Sequence, residues 1–172
     1  MTAEILVLRL IHVLGGIYWV GSALFSAIFL MPALTQAGPA AGQVMANLQA
    51  RRLFIVMPIV ALLTILSGFR LMWILSAGFA AEYFATLTGQ ILALSGGLAL
   101  ATFALGILIA RPAAARSGEL RARVAGETDP EARATIQSEL GSLQRRMALV
   151  GAVSTVLLVV AAAGMAVARY AY

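Results

Sequence analysis

The chain has 172 residues, 62% hydrophobic and 11% charged, with a net charge of +5, a mean hydropathy of +0.95 and a pI near 10.7. That leaves too little polar surface to clothe a soluble globule of this length, and no basic stripe interleaved with exposed aromatics accompanies the charge, so lipid is the expected solvent and nucleic acid is not an expected partner. Cysteine is absent and every basic side chain is arginine, which excludes disulfides and thiolate metal sites.

The first apolar run, residues 5–31, is longer than the ~20 residues a helix needs to cross a bilayer. No basic residue precedes it, unlike a cleaved secretory signal, so its retention is expected. It carries the only histidine of the chain, His12, an ionisable group below the membrane surface and therefore the first functional suspect. Arg9 lies on the same helix face, with Tyr18 and Trp19 one to two turns deeper.

Residues 32–50 hold Pro32 and Pro39 and lead into Arg51-Arg52; they read as a short loop with one helical turn. The second run, 53–77, contains Pro58, whose kink neighbouring helices can absorb, and Arg70. A brief connection with Glu82 and Tyr83 leads to the third run, 87–110, which opens with Gln90 and is rich in small residues such as Ser95, Gly96, Gly97 and Gly106. The fourth, 147–168, has a small-residue face in Gly151, Ser154 and Gly164. Such faces let backbones approach closely in lipid.

The polar stretch 111–146 contains Asp129-Pro130-Glu131, with Asp129 suited to N-cap and Pro130 to the first helical position. No breaker follows until well inside the fourth run, which predicts one helix of nearly 40 residues, roughly 58 Å long. A shorter helix around 119–124 is expected to pack back against it. The fold class that follows is all-α: a polytopic four-transmembrane-helix antiparallel bundle, one membrane domain over 1–172, with a cytoplasmic helical extension between helices three and four. Nine arginines fall in the first and third loops and none in the second. The positive-inside rule then puts both termini on the outer side of the cell's inner membrane, with Tyr170 and Tyr172 in an outer aromatic belt.

Comparing depths along antiparallel neighbours puts His12 and Arg70 both ~10 Å inside the outer surface, with Gln90 entering from the same side. Arg9, His12, Arg70 and Gln90 are thus expected around one cavity, with Trp73, Tyr83 and Glu82 near its mouth. No carboxylate lies inside any span, and the excess of cations favours an anionic, largely apolar ligand. Structural readings stand beside this one. His12 could instead hydrogen-bond a carbonyl or serine across the bundle, Arg70 could snorkel out to Glu82, Arg9 could anchor at the interface, and Gln90 could close a helix-helix hydrogen bond. Trp19 reads as a packing residue. One histidine with no cysteine and no intramembrane carboxylate excludes a multi-ligand copper or zinc site within one subunit. Haem b needs only one axial nitrogen, which His12 could supply, and arginines near the surface suit its propionates.

The stretch Leu10-Ile11-His12-Val13-Leu14 through Trp19-Val20-Gly21, then Pro32, then Arg51-Arg52-Leu53 before Met57-Pro58, resembles the opening half of the four-helix membrane proteins of the CopD (copper resistance D) and HemJ-type protoporphyrinogen oxidase group. The resemblance covers about the first 110 residues. It implies a haem-associated histidine at His12. Those enzymes also carry a lysine at the start of the third helix, in a segment similar to Thr88-Gly89-Gln90-Ile91-Leu92, where this chain has Gln90. The departure points to an accessory or ligand-binding role ahead of porphyrin oxidation, which is the runner-up. A third expectation is a structural subunit that joins a second copy or a membrane partner through the small-residue faces of helices three and four.

Overall fold

Apolar segments of this length have one local means of satisfying their backbone without water, the helix. The computed structural model describes residues 3–171, apart from the Pro39 side chain, so the expectation for Tyr172 lies outside the described residues. Among the described residues every element is helical and no strand occurs. Four helices are long and apolar enough to cross a membrane: α1 (Ala3–Ala37), α3 (Leu53–Leu75), α5 (Leu87–Gly126) and α6 (Pro130–Tyr170). Between them lie α2 (Ala41–Ala50) and the short α4 (Ala81–Ala85).

Two predicted boundaries are corrected. Residues 32–50 are not a loop, because α1 runs on through Pro32 to Ala37, and α2 fills most of the remainder. Likewise the third helix does not end near Ala110 but continues through Pro112 to Gly126. The physical reason is the same at both places. A π-turn, Ser26–Leu30 or Gly106–Ala110, ends just before the residue that precedes the proline, and Met31 and Arg111 donate five residues back, to the carbonyls of Ser26 and Gly106. That widened turn draws the preceding carbonyls away from the pyrrolidine ring, whose clash with the carbonyl four residues back is what usually breaks a helix at proline.

One compact unit comprises Met1–Phe103 with Thr155–Tyr172. Trp19, Ala61 and Leu158 form its core, and Val20, Met57, Ala99 and Phe103 pack against them. Only 6–17% of each apolar stretch is buried, and Leu14, Ile17, Leu66, Leu94 and Val156 all point outward. Thr64, Ser67, Ser95 and Thr102 are buried instead, an ordering that suits lipid and not water. Three of these hydroxyls turn back onto their own helices: Thr64 donates to the Val60 carbonyl at 2.8 Å, Ser67 to Leu63 at 2.7 Å and Thr102 to Leu98 at 2.9 Å.

Between α3 and α4, Ala77, Gly78 and Phe79 all take left-handed backbone angles (φ 50°, 88° and 66°). Two of these are not glycine, a conformation that costs of order 1–3 kcal/mol each. Buried Ser76 holds the turn by accepting the Phe79 amide at 2.8 Å, and the Phe79 ring sits edge-on to Trp73 and Phe69. Thr86 then caps α5, its hydroxyl accepting the Gly89 amide at 3.0 Å.

The second unit, Ala104–Ser154, is a helical hairpin. Ala113, Ser117 and Leu120 on α5 are buried, as is Ile136 on α6, a spacing that gives this polar stretch an apolar seam of its own. Asp129 accepts the Glu131 amide at 3.2 Å and so caps α6. Arg116 ties the two arms together, meeting Glu139 across the hairpin at 2.9 Å and Glu119 on its own helix at 3.3 Å. These hydrogen bonds, the one donated to Glu139 foremost, raise the pKa of its guanidinium.

Candidate functional site

The site rests on the seam between α1 and α3. Glu4 meets Arg70, His12 meets Thr64 and Gly68, and Gly15 meets Thr64, so contacts that ascend α1 descend α3. Glycine at 15 and 68 sets the separation. A Cβ at Gly15 would collide with the Thr64 hydroxyl, and one at Gly68 would stand 2.7 Å from Cε1 and 2.9 Å from Nδ1 of His12. The imidazole therefore lies against bare backbone, half-buried between the helices, in space that exists only because residue 68 lacks a side chain.

This packing fixes the chemistry of the ring. His12 Nδ1 lies 2.8 Å from the Thr64 carbonyl oxygen. A carbonyl can only accept, so Nδ1 carries a proton, and of the two tautomers of a neutral ring the contact selects the one whose lone pair is on Nε2. The same carbonyl also accepts the Ser67 hydroxyl at 3.0 Å, which helps hold it in place. An Nδ1–H donated to a backbone carbonyl is the arrangement that orients an imidazole for coordination through Nε2.

The other predicted site residues fall elsewhere. Arg70 is bound to Glu4 through both Nη2 (2.7 Å) and Nε (2.8 Å). This corrects the expected surplus of cations and the expected pairing with Glu82. The first-turn residue of α1 reaches the C-terminal part of α3, and the two charges are paired there. Arg9 is exposed on α1, and Gln90 is exposed near the start of α5. Trp73 is 48% exposed, its ring 5.2 Å from that of Phe79 and beside Gly78. Among the described residues no hydrogen bond links Gln90 or Trp73 to His12. Trp19 lies in the core.

Sequence reasoning missed three partners: Glu4, Thr64 and Gly68. The signal for the last two was present in Ala61, Thr64 and Gly68, small residues at helical spacing within an otherwise bulky run. Among the described residues no group of three His, Cys, Asp or Glu side chains could hold a metal ion.

Comparison of the chain with models of known protein families, with curated proteins and with solved structures finds no match.

Proposed function

We propose that the protein is an accessory, non-enzymatic protein of the inner membrane, and that His12 offers Nε2 as the single protein axial ligand to haem b. In this reading the four apolar helices form an antiparallel bundle, with both termini outside and the hairpin in the cytoplasm. The arginines of the first and third loops support that orientation. The observation that carries the ligand reading is the hydrogen bond from His12 Nδ1 to the Thr64 carbonyl, which occupies Nδ1 and makes Nε2 the ring nitrogen left for coordination. Arg9 lies on the same face of α1, one turn nearer its N-terminus, and a guanidinium there suits a propionate. Haem would supply a redox-active iron. The chain's own part is to fix the tautomer and the orientation of one ring.

A second reading has its own support. The seating of the ring on Gly68 also makes His12 a clasp between two helices in a structural subunit. Porphyrin oxidation is the least supported of the three, because Gln90 stands where the similar enzymes carry lysine.

The experiment is a visible spectrum of protein purified in mild detergent from cells supplied with a haem precursor. The proposal expects a Soret band that disappears in His12→Ala, returns with added imidazole and survives in Gln90→Ala, with no turnover of protoporphyrinogen. Colourless wild-type protein that is folded by circular dichroism would overturn the haem reading in favour of the clasp. Turnover would establish the enzyme.

A further inference from the structure

At the foot of the hairpin, within the second unit, lies a cleft of about 260 Å³. Its wall is apolar where Leu108, Ile109, Pro112 and Leu143 face it, and two guanidinium groups, Arg116 and Arg146, complete the lining. The two cations are not equivalent. Arg116 spends Nε and Nη2 on Glu139 and Nη1 on Glu119, so its charge is already met. Arg146 has no carboxylate within ion-pair distance among the described residues.

The place of Arg146 in the chain gives this asymmetry its meaning. It is the last residue before the apolar run that begins at Met147, and Leu108 and Ile109 belong to the last turn of the third apolar run. An unpaired cation therefore stands where hydrocarbon gives way to water, with leucine and isoleucine on the hydrocarbon side. Arg111 and Arg145, both exposed, add positive potential at the same boundary.

We infer that this cleft binds an anionic phospholipid, the phosphate diester held by Arg146 and the upper part of an acyl chain lying along Leu108, Ile109 and Pro112. A guanidinium matches two phosphate oxygens at once. The volume falls just below that of sites enclosing a whole drug-sized molecule, as suits a ligand whose tails remain in the bilayer. Free phosphate would leave the apolar wall bare, and a neutral lipid would leave Arg146 unpaired. The bridge from Arg116, which lines the cleft, to Glu139 ties the two arms together.

The inference rests on the membrane placement proposed above, so the test begins with reconstitution. Full-length protein is incorporated into phosphatidylcholine vesicles and floated on a density gradient. Failure to float overturns the membrane reading itself. Spin-labelled phosphatidylglycerol and spin-labelled phosphatidylcholine are then compared for their motionally restricted fraction. Wild-type protein is expected to favour phosphatidylglycerol by about five-fold, the weight of one arginine at an anionic surface. Arg146→Gln should remove most of that preference, leaving only the weak share of Arg111 and Arg145, Arg146→Lys should keep most of it, and Arg121→Gln and Arg123→Gln, near the hairpin tip, should leave it intact. Equal restriction of both lipids, retention of most of the preference in Arg146→Gln, or its loss on adding millimolar inorganic phosphate would each overturn the proposal. The last outcome would identify a soluble anion in place of a lipid.

Discussion

Gly68→Ala is the sharpest perturbation of the α1–α3 seam. The added Cβ would stand 2.7 Å from Cε1 and 2.9 Å from Nδ1 of His12, whereas carbon atoms in contact sit ~3.5–4.0 Å apart. The ring has to retreat by about 1 Å. Its 2.8 Å bond to the Thr64 carbonyl then opens beyond ~3.5 Å and ceases to be a hydrogen bond. Overpacking of this kind costs ~1–3 kcal/mol, and an interhelical hydrogen bond in a membrane protein adds about 0.6 kcal/mol. For a chain of this size each kcal/mol moves Tm by ~2–4 °C, so a fall of several degrees is expected on thermal unfolding in detergent, followed by circular dichroism. Two comparisons isolate the cause. In a His12→Ala background the same substitution should cost less than ~0.5 kcal/mol, because the obstructing ring is gone. Gly21→Ala, where nothing lies within 4 Å of the new methyl, should be neutral or mildly stabilising, as the helix gains its usual preference for alanine. Equal cost of Gly68→Ala in both backgrounds would show that the glycine does not exist to seat the histidine.

The Glu4–Arg70 pair, each partner about half exposed, should contribute no more than ~1 kcal/mol. Glu4→Arg and Arg70→Glu should each lower Tm slightly, and the double exchange should restore it; failure of the exchange to recover stability would remove the pair from the seam. The absence of cysteine allows clean topology mapping. In intact cells a membrane-impermeant maleimide should label Ala80→Cys, in the turn between α3 and α4, and should reach Ser142→Cys, in the hairpin, only after lysis. The reverse pattern would invert the proposed orientation.

The helical class and its four long apolar helices were legible because uninterrupted hydropathy is a property of single segments. The start of α6 was legible for a similar reason: Asp129 and Pro130 carry a capping signal within three residues. The continuity of α1 past Pro32 and of α5 past Pro112 was not. Proline argues locally for an ending, and the π-turns that accommodate it at Ser26–Leu30 and Gly106–Ala110 leave no pattern of apolar spacing. The site divides along the same line. His12 stood out by being unique, whereas Thr64 and Gly68 acquire meaning only from the helix lying against them. Glu4 was overlooked as a terminal residue beyond the apolar run, yet the reversed order of contacts carries it to Arg70.

A single histidine makes its tautomer directly observable, free of overlapping signals. With ¹⁵N-histidine incorporated into the protein, without haem and in buffer alkaline enough to keep imidazole neutral, nitrogen-detected magnetic resonance should show a protonated, pyrrole-like Nδ1 coupled to its hydrogen and a bare, pyridine-like Nε2. Finding Nδ1 bare, with the proton on Nε2 alone, would mean that the ring does not donate to Thr64, and the α1–α3 site would be wrong.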